Sequence, residues 1–180
     1  MINHDLKCIF VEVPKTGSTS IRSIIGQPAK PHLTIVEIQN QVTKQQFDEY
    51  FKFAFVRNSW DRELSLYKYI LKTPKHYYHK QCLQFVNFSE YLRKRQVLLQ
   101  QYDFLSNNGE IQVDFIGRFE NFQQDFNTVC DKIGIPQQQL PHRNKSKHKH
   151  YTEYYDDETR EIVAQKYARD IEYFGYKFGE

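Results

Sequence analysis

The chain has 180 residues, 39% of them hydrophobic and 26% charged, and a net charge of +3, the balance of a folded soluble protein rather than a disordered one. That length suits a single domain, 1–180, with a core large enough to need no disulfide or metal staple, and the small net charge gives no argument for nucleic-acid binding. No apolar run approaches the roughly 20 residues that cross a bilayer, and the N-terminus leads into a strand rather than a signal peptide, so a cytoplasmic location is expected.

The first strand is predicted over Cys8–Val13, a run of β-formers stopped by Pro14, with Glu12 its one charged member. After a loop of small polar residues, Ile21, Ile24 and Ile25 have helical spacing, and Gly26 and Pro28 end that helix. Thr34 is positioned to cap a helix carrying Ile35, Val36, Ile38 and Val42. A second strand is predicted over Phe51–Arg57, and Asn58 caps a helix from about Ser59 to Leu71.

Residues 73–88 show no periodicity and read as a loop rich in Tyr, His and Lys; a helix is expected from about Ser89 to Leu99. The third strand is placed over Gln112–Arg118, and a helix from Glu120 or Asn121 runs to Ile133, before Gly134 and Pro136. The segment 142–150 reads as a basic loop, and a helix from Asp156 to Asp170 precedes an aromatic tail. The alternation of strands and helices predicts an α/β fold with a central, mainly parallel sheet. In such sheets ligands gather at the carboxyl ends of the strands, where both the Pro14 loop and Arg57 fall.

Cys8, Cys82 and Cys130 are isolated and lack CxxC spacing, which fits neither a zinc site nor a disulfide framework and points to a reducing compartment. Aromatic residues reach 16%, enough for a large core or for surfaces on which a base or sugar stacks.

The loop Pro14-Lys15-Thr16-Gly17-Ser18-Thr19-Ser20 has the chemistry of an anion site. A helix start directs unpaired N–H groups and the positive end of its dipole outward. Lys15 adds a full charge, Thr16, Ser18, Thr19 and Ser20 add hydroxyls, and Gly17 lets the backbone approach a ligand. It is not the GxxxxGK[ST] phosphate loop, because the lysine precedes the single glycine. At the next strand end Arg57 offers a fork suited to a phosphate dianion, and Ser65, two turns into the following helix, offers another hydroxyl. Asp61 is a candidate partner for Arg57 in a purely structural role. Two anion sites on neighbouring strands suggest a ligand with two separated anionic groups.

These residues resemble the carbohydrate-type, "family 2" sulfotransferases, which include bacterial members and the heparan sulfate 2-O-sulfotransferase type. Phe10–Ser20 is similar to that family's 5'-phosphosulfate loop, and Phe53–Tyr67 to its 3'-phosphate motif; Asp114–Phe122 and the stretch from Tyr154-Tyr155 to Phe178 are supportive. The resemblance implies a P-loop-like three-layer fold and transfer of a sulfuryl group from 3'-phosphoadenosine 5'-phosphosulfate (PAPS) to a hydroxyl or amine. It implies no metal requirement. Lys15 then contacts the phosphosulfate, while Arg57 and Ser65 hold the 3'-phosphate. The sequence departs from the pattern at Glu12, where many members carry histidine, at Ser59, where many carry proline, and at Glu63, usually an apolar position.

Sulfuryl transfer requires a group to neutralise the leaving phosphate and a base to take the acceptor's proton. His32 lies where the heparan sulfate 2-O type keeps its catalytic histidine, and Glu12 is the alternative base. The segment 142–150, with three histidines, three lysines and an arginine, reads as a basic lid, a solvated loop or, with spacing that matches no pattern, a metal site. Loops 72–88 and 136–150 are expected to shape a glycan or small-molecule acceptor site. The competing readings are a nucleotide-dependent kinase or ATPase of the P-loop class, and a non-catalytic relative that binds PAP or glycan.

Overall fold

A computed structural model describes residues 1–96, 99–141 and 149–180. In chain order the first elements are β1 (Ile2–Asn3), β2 (Cys8–Val11), α1 (Ser18–Ile25), α2 (Ile35–Gln39), α3 (Lys44–Glu49) and β3 (Phe51–Val56). There follow α4 (Ser59–Lys72), α5 (His79–Cys82), α6 (Phe88–Lys94), α7 (Gln101–Leu105), β4 (Ser106–Asn107), β5 (Glu110–Ile111) and β6 (Phe115–Arg118). The last are α8 (Phe122–Ile133), α9 (Asp157–Lys166) and α10 (Ala168–Phe174). The chain packs as two compact units, one from Met1–Arg57 with Gln101–Lys145 and one from Asn58–Gln100 with Ser146–Glu180. The first holds every strand of the described residues; the second is helical.

In the first unit the main sheet has the order β1-β2-β3-β6, with β1 antiparallel to β2 and the other pairs parallel. The expected mixed α/β architecture with a mostly parallel sheet and flanking helices is therefore present. Register places Phe10 opposite Phe53 and Phe53 opposite Phe115. The Phe10 and Phe53 rings stack at 5.0 Å and pack with Ile21 and Ile25 of α1 and Phe126, Val129 and Ile133 of α8. Burial of such side chains is worth about 1.5–3 kcal/mol each, which ties the helix after β2 firmly to the sheet. Ile9, Val11 and Ala54, on the opposite face, are also fully buried, and a strand covered on both faces reads in sequence as a continuous apolar run.

The helix expected to carry Ile35 to Val42 stops as α2 at Gln39, leaving Val42 outside it, and a separate helix, α3, starts at Lys44. Thr34 caps α2 in a reciprocal box with Glu37, and Thr43 begins a second box with Gln46, a restart signal that the apolar spacing alone conceals. The third strand is shorter than predicted. Before it, α7 and the hairpin β4–β5 occupy sequence given no structure above; Asn108-Gly109 form its two-residue turn with φ of 51° and 85°, the left-handed pair such hairpins need.

In the helical unit, α4 begins where predicted, with the Asn58 side chain accepting from the Trp60 N–H. Its Trp60, Leu64 and Ile70 pack into a cluster with Tyr91 and Leu92 of α6 and with Val163 and Tyr167 from the α9 segment. Glu63, 2% exposed, lies inside this cluster. It accepts from Arg95 Nη1 (3.0 Å), from the Tyr91 hydroxyl (3.2 Å) and from the Tyr167 hydroxyl. That network explains two departures from the sequence reading. Helix α6 stops at Lys94, not Leu99, because Arg95 turns extended (φ −76°, ψ 130°) to reach Glu63, while Lys166 donates to the Leu92 and Arg95 carbonyls. The expected 156–170 helix breaks at Tyr167, whose ring also reaches Glu63, and α10 occupies part of the stretch read as a tail.

Removing one member of a buried ion pair strands the other charge, which costs about 3–5 kcal/mol, whereas replacing both is close to neutral. Glu63→Leu is therefore expected to lower unfolding free energy in urea by roughly that amount, and Glu63→Leu with Arg95→Met to recover most of it. Equal losses in the single and double variants would count against the network.

Candidate functional site

Because β2 and β3 run parallel, Val11 pairs with Ala54 and the two chains leave the same end of the sheet side by side. The loop after β2 is tightly folded. Lys15 adopts φ 71° and Gly17 φ 88°, two left-handed residues in three, and only the glycine does so without strain. A Cβ on Gly17 would stand 2.4 Å from the Phe122 ring, so the close approach this glycine permits is to α8.

The four hydroxyls expected to face an anion divide into two sets. Thr16, fully buried, donates to the Val13 carbonyl at 2.9 Å, and Ser20 donates to the Pro141 carbonyl at 2.7 Å. Those two hold the loop's shape. The hydroxyls of Ser18 and Thr19 donate to no partner among the described residues, and both lie in the first turn of α1, where Gly17 provides no side-chain cap and no acidic residue offsets the dipole.

Arg57 comes from the end of β3 and is 8% exposed. Its backbone is fixed by Gln101, whose amide oxygen accepts from the Arg57 N–H (2.9 Å) while its amide N–H donates to the Arg57 carbonyl (2.8 Å). The guanidinium Nη1 donates to the Lys15 carbonyl at 3.2 Å, and the group lies over the Phe119 ring, 4.1 Å from the centroid. Phe119 follows β6, so three neighbouring strand ends meet here. Burial, and then the nearby Arg57 charge, push the Lys15 ammonium down to about 8. Two cations held close in a partly desolvated loop favour an anionic ligand. No motif marks Gln101, and Phe119 falls in the Asp114–Phe122 stretch with no role assigned to it; only the sheet order and the fold-back of α7 bring them to Arg57.

His32 and Glu12, the two candidate bases, also meet. His32 adopts φ 60°, its ring is exposed, and Nδ1 stands 3.0 Å from the Glu12 carbonyl oxygen. A carbonyl only accepts, so Nδ1 is the donor in this contact, and in the neutral ring the lone pair falls on Nε2. The Glu12 carboxylate is 1% exposed and pairs with Arg22 at 3.6 Å. Burial pushes its carboxyl pKa up, against the pull of Arg22.

Ser65 lies in the second turn of α4, in the helical unit, and its role rests on the resemblance alone. Most of the basic segment 142–150 lies outside the described residues; within them, Lys149 pairs with Glu153 at 3.0 Å and His150 contacts Thr152. The 72–88 stretch read as a loop contains α5, and with α6 it lines a cavity of about 230 Å3 walled by Tyr78, Phe85 and Tyr91. Among the described residues no helix is long and apolar enough to cross a membrane. Cys8, Cys82 and Cys130 are buried free thiols, and burial pushes Cys8 up to about 11.

Lys15 on a left-handed backbone, the start of α1 without a side-chain cap and Arg57 from the adjacent strand thus lie together at one end of the sheet. The sulfotransferase family matches over residues 1–177, and the chain belongs to that family. An uncharacterized protein of Archaeoglobus fulgidus is 32% identical over 105 residues, covering 56% of this chain and 82% of its own length. No solved structure matches the chain.

Lys15 has a folded pKa of about 8, below its ordinary 10.5, so between those values the unfolded chain holds a proton that the folded chain has released. Stability contributed by this group therefore rises as pH increases from about 8 to about 10.5. Subtracting the urea unfolding free energy of Lys15→Met from that of wild type should give a difference that climbs across this window. A flat difference would refute the lowered lysine.

Proposed function

We propose that the protein is a PAPS-dependent sulfotransferase acting on a hydroxyl or amine of a carbohydrate or small-molecule acceptor, on a P-loop-like three-layer fold. The observation that carries this reading is the pairing of Lys15 with Arg57 beside the uncapped start of α1. The residues fit an extended polyanion: two cations, two hydroxyls whose protons have no partner among the described residues and first-turn N–H groups are available to a ligand, while the remaining loop hydroxyls brace the backbone. Family membership supports sulfuryl transfer in general.

PAPS, when bound, supplies an activated sulfuryl group whose transfer leaves PAP and negative charge on the phosphate oxygen. Lys15 and the N–H groups of Ser18 and Thr19 neutralise that charge as it grows, an effect strongest in a site with little water. Arg57 holds the 3'-phosphate, the group that separates PAPS from other adenine nucleotides, and Phe119 keeps its guanidinium flat and in place. His32 takes the acceptor's proton on Nε2, and its bond to the Glu12 carbonyl fixes both tautomer and ring direction.

Two measurements test this. PAP should bind in a calorimetric titration with ATP bound at least ~10-fold more weakly, and Lys15→Ala should cut sulfate transfer, read by acceptor mass shift, by about 10²–10³-fold. Equal binding of ATP would favour a kinase or ATPase instead. His32→Ala should lower the turnover rate by roughly 10²–10⁴-fold while leaving PAP affinity within about threefold; unchanged turnover would remove His32 from the mechanism.

A further inference from the structure

Glu12 and Arg22 form a buried pair whose geometry proton transfer does not require. Neither Glu12 carboxylate oxygen has a hydrogen-bond partner among the described residues, and the buried Nε of Arg22 has none either. They stand 3.6 Å apart, close enough for ionic attraction and too far for a good hydrogen bond. A buried pair left in that state contributes little to stability, since desolvation of both charges offsets their attraction. Burial raises the Glu12 carboxyl pKa, and Arg22 is the strongest group opposing that rise.

The other end of Arg22 points to what the pair does. Its Nη2 donates to the Thr19 Oγ1 at 3.4 Å, one turn back along α1. Thr19 sits in the uncapped first turn, and its own O–H donates to no partner among the described residues. An N–H filling one lone pair of a hydroxyl turns the hydroxyl proton away from the guanidinium and makes it a better donor. An anion over the first turn is the acceptor that proton lacks.

We propose that Arg22 is a positioning residue of the donor site: anchored by the buried Glu12 carboxylate, it orients and polarises the Thr19 hydroxyl towards the phosphosulfate end of the donor. This rests on the PAPS reading above, and it gives Glu12 a role apart from proton transfer. Glu12 fixes the arginine, the arginine aims the hydroxyl, and only the hydroxyl touches the ligand.

A double-mutant cycle on PAP affinity, measured by calorimetry with wild type, Arg22→Gln, Thr19→Ala and the double variant, tests the coupling. Each single variant is expected to weaken PAP by about 5–20-fold, and Arg22→Gln to add less than about twofold once Thr19 is alanine. Arg22→Lys keeps a cation for Glu12 but loses the second N–H. It should keep the wild-type melting temperature and still weaken PAP, which a purely structural role does not predict. If Arg22→Gln fails to fold, the same cycle is run with Arg22→Lys. Additive losses, or affinity within twofold of wild type in the Arg22 variants, overturn the positioning role and leave the donor reading intact. Failure of the wild-type protein to bind PAP overturns both.

Discussion

Parallel pairing of β2 with β3 brings two cations together, and the site depends on that register. Pairing of Val11 with Ala54 sends both chains out of the sheet at one level, and the Arg57 guanidinium then meets the Lys15 carbonyl. Like charges at such range repel, and burial removes water that would screen them. The fold opposes this by fastening each partner separately. Gln101 grips the Arg57 backbone on both sides, Phe119 lies under its guanidinium, and Thr16 closes the lysine loop onto Val13. The lowered lysine pKa is the residual cost of the arrangement. A ligand that supplied negative charge would relieve both the repulsion and the desolvation.

Two of the strained backbone positions fall in the same place. Among the described residues, left-handed non-glycine conformations occur at Lys7, Lys15, His32 and Asn108. Asn108 is in a hairpin turn that needs one. Lys15 and His32 are long or bulky side chains for which such a backbone costs on the order of 1–3 kcal/mol, tolerated where the surroundings over-determine it. At Lys15 the surroundings are Arg57 on the carbonyl and the Thr16 clasp; at His32 they are the ring's bond to the Glu12 carbonyl. In both, the strained backbone carries a side chain whose charge or lone pair the proposed chemistry uses.

How much of this the sequence disclosed depends on whether a feature is local. The strand–loop–helix of residues 8–25 was legible because an apolar run, a proline stop, small residues and helical spacing are all neighbours in the chain. Asn58 as a cap was legible for the same reason. Gln101, Phe119 and Arg22 were not, because each matters only through a partner brought to it by folding, 44 residues away for Gln101 and Arg57. The loop hydroxyls were over-read: sequence identifies four donors, while geometry commits Thr16 and Ser20 to carbonyls. Two local signals, the second capping box at Thr43 and the Asn108-Gly109 turn, carry structure that hydrophobic period alone does not reveal.

Glu63 shows what a buried polar residue can do when its partners converge on it. A carboxylate this deeply buried would be destabilising by itself. Here Arg95, Tyr91 and Tyr167 converge on it, so every oxygen is satisfied and the charge is matched. The network has a geometric consequence that an apolar residue at this position does not impose. Arg95 must leave helical geometry to reach Glu63, which ends α6, and Tyr167 must turn its ring inward, which separates α9 from α10. One buried charge thus determines where two helices stop, and it holds them to α4, the helix that begins immediately after Arg57. Glu12 and Glu63 are both buried acids, yet they have opposite status. Glu63 is saturated with hydrogen bonds and acts as a structural lock, whereas the Glu12 carboxylate has no hydrogen-bond partner among the described residues and stands 3.6 Å from Arg22, an unsaturation consistent with the positioning role proposed above.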